Sequence, residues 1–83
     1  MSIATNVFVV AMIDGLMSAV KFYSEYISGH YNLAMNLYVI GLLDDAANEY
    51  NVIIQLAPES NEAYFARRML KIIEEKQLEV TKH

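Results

Sequence analysis

The chain has 83 residues, no cysteine and a formal net charge of −4. That rules out a disulfide framework and a thiolate metal site, and it argues against wrapping a polyphosphate backbone, which needs a basic face. Its 55% hydrophobic and 19% charged content is less polar than the roughly 45–50% apolar, about 25% charged make-up of ordinary globular chains. A chain this small has much surface for its volume, so part of its exterior is expected to be covered by something else. Three glycines and one proline leave few breaks, and long helices are the natural result.

Residues 1–28 read as an N-terminal apolar helix, with Ser2, Thr5 and Asn6 available to cap its start. From Asp14 onward, Asp14, Ser18, Lys21, Glu25 and Ser28 recur at spacings of four and three and line one polar stripe. Leu16, Ala19, Val20, Tyr23 and Ile27 lie away from it. Further back the polar stripe is lost: Val7, Val10 and Ala11 occupy its face, and VFVVAMI (residues 7–13) is apolar all round. Such a segment is buried on all sides or meets lipid. Three readings stay open here: a covered core helix end, an interface for a partner or a second copy built on Val7, Val10 and Ala11, or membrane contact through residues 3–13. Asn6 and Asp14 interrupt the run well short of the about 20 apolar residues a spanning helix needs. No Lys or Arg precedes Lys21, so the charged start of a signal peptide is not evident. The expected setting is cytoplasmic or organelle-internal, with membrane association left open.

Ser28-Gly29-His30 is expected to break this helix, because Gly29 suits a left-handed C-terminal cap. A second helix then runs over residues 30–40. Leu33, Ala34, Leu37 and Ile40 form one apolar face, and Tyr31, Met35, Tyr38 and Val39 form another. Gly41 ends it. The third helix covers residues 43–57, with Asp44 and Asp45 in its first turn, where the helix dipole favours acids. Ala46, Tyr50, Ile53 and Ala57 are its buried stripe. Pro58 closes it. Ser60 or Asn61 caps a fourth helix over residues 61–77, with Ala63, Ala66, Leu70 and Ile73 on its inner face and Phe65, Met69 and Ile72 widening that face. Residues 78–83 are expected to fray.

From residue 27 to residue 60 the chain resembles a tetratricopeptide repeat, a pair of antiparallel helices about 34 residues long. Leu33 and Ala34 fit the Leu-Gly pair of the first helix, Leu37 its following aromatic position, and Gly41 the turn. Ala46 fits the small residue opening the second helix, Tyr50 its aromatic and Pro58 the closing proline, while Ile53 stands where a small residue is commoner. Tyr64 falls where a next repeat carries Trp or Tyr, but Arg67 and Arg68 replace its Leu-Gly/Ala pair. The resemblance implies an all-α, four-helix antiparallel hairpin stack. It would comprise an N-terminal helix (1–28), a repeat-like hairpin (29–60), a C-terminal helix (61–77) and a tail (78–83). Roughly three repeats usually make a solenoid core, and about one and a half are present, so the first helix or a partner must complete the stack.

The resemblance also implies function: the first helices of such repeats line a groove that binds peptides or a partner helix. Here Tyr31, Met35, Tyr38, Phe65, Met69 and Ile72 would line it. The Lys and Asn of carboxylate-clamping relatives are replaced by Tyr31 and Met35, so a C-terminal carboxylate is not the expected ligand. An apolar, Met-containing groove suits an amphipathic helix. No catalytic motif, phosphate loop or metal-ligand spacing is found, and neither a cofactor nor a small-molecule substrate is expected. The functional expectation is a non-catalytic protein–protein interaction module, an adaptor or assembly subunit. Its alternatives are a structural subunit anchored in a large or membrane-bound complex by its N-terminal helix, and a small chaperone shielding a partner.

Overall fold

A computed structural model describes the backbone of residues 3–81 and the side chains of residues 15–80. Among these residues there are three helices, α1 (Ile3–Val39), α2 (Leu43–Leu56) and α3 (Asn61–Thr81), and the fold is all-α. The helices run up, down and up, with α2 packed against both neighbours while α1 and α3 meet only sparingly.

The first two expected helices are one. Ser28-Gly29-His30 does not break α1, and Gly29 holds no positive φ; among the described residues only Gly41 does. A glycine inside a helix costs only about 1 kcal/mol relative to alanine, and packing outweighs that. Ile27 and Ala34 are both buried against the rest of the chain. They stand seven residues apart on one face, a register that a break at Gly29 would destroy. Between them His30 Nδ1 lies 2.5 Å from Glu49 Oε2 on α2, and the Tyr26 ring meets the His30 ring edge-on at 4.4 Å.

α1 ends instead at Gly41. Leu42 N–H donates to the Leu37 carbonyl at 2.9 Å and Gly41 N–H to the Tyr38 carbonyl at 3.1 Å, the paired bonds of a Schellman turn around a glycine with φ of 90°. Because the helix stops here, Ile40 swings out of the apolar face expected of it. Leu33, a hundred degrees round the helix from Ala34, is likewise largely exposed.

The remaining junctions follow the sequence closely. α2 carries Asp44 and Asp45 in its first turn, and its last turn is closed by the Ala57 N–H bonding to the Ile53 carbonyl at 2.8 Å. Pro58 follows. Ser60 then caps α3: its hydroxyl accepts from the Ala63 N–H at 3.0 Å and donates to the Ala57 carbonyl at 2.7 Å. Arg67 donates to the Pro58 carbonyl at 2.7 Å and ties the turn to α3. The expected tail at residues 78–83 is helical through Thr81. Gln77 donates to the Asp44 carboxylate, which holds the last turns of α3 against the start of α2.

The core is small: Ile27, Ala34, Ala46, Tyr50, Ile53, Ala63, Ala66 and Ile73. Four alanines at the crossings let the helix backbones approach closely, and Tyr50 and the isoleucines fill the space between them. N-terminal to Ile27, α1 projects beyond this core. The radius of gyration is 19.1 Å, against about 12 Å for a compact domain of this length, and the molecule measures 73 × 20 × 13 Å.

Two glycine substitutions separate this architecture from a four-helix one. A Cβ at Gly29 would meet nothing within 4 Å, so Gly29→Ala is expected to raise unfolding stability by about 0.5–1 kcal/mol. Gly41→Ala is expected to lower it by about 1 kcal/mol or more, because φ there is left-handed. Urea unfolding of the two variants checks both signs; a loss at Gly29 would mean a break there.

Candidate binding groove

The groove lies between α1 and α3 over α2. Tyr31, Met35, Tyr38 and Val39 of α1, Met69 of α3 and the Tyr50 ring below them enclose a cleft of about 270 Å³. Helix spacing explains the wall. With Ala34 turned into the core, Tyr31, Met35 and Tyr38 flank it at i−3, i+1 and i+4 and so form the adjacent side of α1. Tyr31 packs edge-on against Tyr50 with ring centroids 6.3 Å apart, which places an aromatic layer at the bottom of the cleft.

The cleft continues toward the start of α3. Ser28, Tyr31, Asn32, Asn61, Glu62 and Phe65 surround a second space of about 300 Å³ that shares Tyr31 with the first. At the other end, Lys76 holds its amine 4.7 Å from the centre of the Tyr38 ring, a cation–π contact. The groove is therefore apolar in the middle, acidic at Glu62 and basic at Lys76.

Of the residues expected to line a groove, Tyr31, Met35, Tyr38 and Met69 are brought together, and Phe65 joins them through Tyr31. Ile72 lines neither space; it is 38% exposed and continues the same ridge of α3 one turn beyond Met69. Val7, Val10 and Ala11 lie outside the residues whose side chains are described. Sequence reasoning did not place Glu62 and Lys76 at a groove. The available signal was the run Glu62, Phe65, Met69, Ile72, Lys76, whose alternating three- and four-residue steps put all five on one side of α3.

A second apolar surface lies on α1 outside the groove. Leu16, Met17 and Val20 are exposed on one side of α1, and Phe22, exposed by 72%, on the opposite side; Tyr23 donates its hydroxyl to the Leu56 carbonyl at the edge of the core. Among the described residues no helix is long and apolar enough to cross a membrane, and no group of three or more His, Cys, Asp or Glu could hold a metal ion. The half-buried His30–Glu49 pair joins α1 to α2, so His30 does have an acidic neighbour that the sequence did not disclose. The chain matches no protein-family model, no curated protein and no solved structure.

Burial raises the Tyr50 phenol above its ordinary value of 10.0, and the nearby Tyr31 and Tyr38 phenols raise it further. The folded state therefore keeps this proton at a pH where the unfolded chain has shed it. The stability that Tyr50 contributes is complete below about pH 10 and is lost as pH rises through its folded-state value. Tyr50→Phe, which has no proton to lose, is expected to show a shallower decline of thermal midpoint above pH 10 than the wild type; identical slopes would contradict this.

Proposed function

We propose that this chain is a non-catalytic binding module, a short tetratricopeptide-like hairpin stack that holds an apolar helical segment of a partner in the groove between α1 and α3. The observation that carries the reading is that groove. Tyr31, Met35, Tyr38 and Met69 line one open cleft over Tyr50, where a monomer with no partner would present polar residues. Flexible Met side chains beside aromatic rings adapt to the ridge of an amphipathic helix. The small residues Ala34 and Ala46, the Gly41 turn and the Ser60 cap support the repeat-like description, with the C-terminal half of α1 acting as the first helix of the hairpin.

The test is binding of a fluorescent amphipathic helical probe peptide followed by anisotropy. Substituting both Met35 and Tyr38 by Glu places charge in the apolar cleft and is expected to weaken binding at least tenfold, with far-UV circular dichroism retained, since neither residue belongs to the fully buried core. Undiminished binding would remove the groove from the reading.

A second reading, that the chain is a structural subunit anchored in a larger assembly through α1, draws on the exposed Leu16, Met17 and Val20, which share one side of the helix. An apolar patch of this kind on a projecting helix marks an interface. Leu16→Glu with Val20→Glu is expected to abolish co-sedimentation with whatever the wild type is recovered with in gentle lysates, while the thermal midpoint of the core stays within about 1 °C, since surface changes move stability by under about 0.5 kcal/mol. Retained co-sedimentation would exclude α1 as the anchor.

A further inference from the structure

The groove has an order of charge that selects its occupant. Along α3 the ridge runs Glu62, Phe65, Met69, Ile72, Lys76, from acid through three apolar residues to base, over about 21 Å of helix. Glu62 is half-buried beside Ser28, Tyr31, Asn32, Asn61 and Phe65. Lys76 rests on the Tyr38 ring. Among the described residues neither has an ion-pair partner. Phe65 is 47% exposed and Ile72 38%, so the apolar centre of the ridge is uncovered.

A helix that satisfies this groove must bring a base to Glu62, an acid to Lys76, and apolar residues between them. Read in the opposite direction, α3 itself meets that description. Turned antiparallel about Met69, a second α3 sets its Lys76 against Glu62 and its Glu62 against Lys76, with Phe65 and Ile72 of the two copies overlapping around the paired Met69 residues. We propose that the groove binds α3 of a second copy of this chain, forming an antiparallel dimer with its twofold axis near Met69. The proposal rests on the groove being a binding site and names its occupant.

Three physical arguments favour the second copy over an unrelated helix. The interface is isologous, so every contact made once is made twice. Antiparallel helices place the positive end of each dipole beside the negative end of the other. A net charge of −4 on each chain makes unspecific association repulsive, so the two cross-chain Glu62–Lys76 pairs set the register and exclude the parallel arrangement, which would juxtapose like charges. A second α3 lying in the groove runs antiparallel to α1 as well, continuing the alternation that α2 begins.

The test is molar mass by light scattering, and the absence of cysteine from the chain allows site-specific crosslinking without background. The wild type is expected at the mass of two chains. Glu62→Lys alone and Lys76→Glu alone are each expected to fall to the mass of one chain. Mixing these two single variants is expected to restore the mass of two, because each altered end then meets its opposite; variants that had merely unfolded would not recover. Met69→Cys is expected to crosslink to itself with a short bis-maleimide, whereas Lys76→Cys is not, since the two Lys76 positions lie about 21 Å apart in the antiparallel register and side by side only in a parallel one. A monomeric wild type overturns the second copy as occupant; if it still binds the helical probe peptide, the groove reading stands without it, and if it binds neither, both fall. A dimer insensitive to both charge reversals, or one crosslinked through Lys76→Cys but not Met69→Cys, also overturns the proposal.

Discussion

The structure depends on the burial of one face of α2. Ala46, Tyr50 and Ile53 recur at spacings of four and three, and all three are fully buried. Because α1 and α3 barely touch each other, this stripe is what holds them in one body. Its chemistry is divided. Ala46, with Ala34, Ala63 and Ala66, keeps the backbones close enough for dispersion contacts, and Tyr50 supplies the bulk that a core of alanines lacks. The same Tyr50 forms the floor of the groove, so one side chain fixes both the spacing of the helices and the base of the candidate site.

A core this small leaves much of the chain's apolar surface outside it. About half of the residues are apolar, yet only eight described residues are buried, and part of the surplus lies in two places. One is the groove, whose walls are arranged by the way α1 and α3 lean on α2. The other is the projecting part of α1, which no segment of the described chain covers. The two surfaces lie on different stretches of α1.

Much of the hairpin was legible from the residues. Pro58, Ser60 and Gly41 are punctuation with a local mechanism: a missing N–H, a side-chain cap and a left-handed turn. Each acts where its chemistry requires. The inner faces of α2 and α3 were legible too, because those helices alternate apolar and charged residues strongly enough to show which side is buried. α1 was not legible in this way. It is apolar over most of its circumference, so periodicity could not tell core from surface, and Leu33 and Ile40 were assigned to a face that Ala34 and the Gly41 turn deny them. Gly29 looked like a break because its intrinsic preference is visible in sequence, while the Ile27–Ala34 register and the Glu49 neighbour that override it are not.

By itself, then, the sequence determined an all-helical chain, the turns at Gly41 and at residues 57–60, and the residues α2 and α3 turn inward. These are short-range properties, set by backbone preference and by spacing within one helix. The tertiary structure alone decided that α1 is a single helix reaching past the core, that Tyr50 lies beneath Tyr31 and Met35, and that Glu62 and Lys76 stand at opposite ends of one groove. Those facts depend on how far one helix lies from another, and distance between helices is fixed by packing across the chain, which no local pattern encodes.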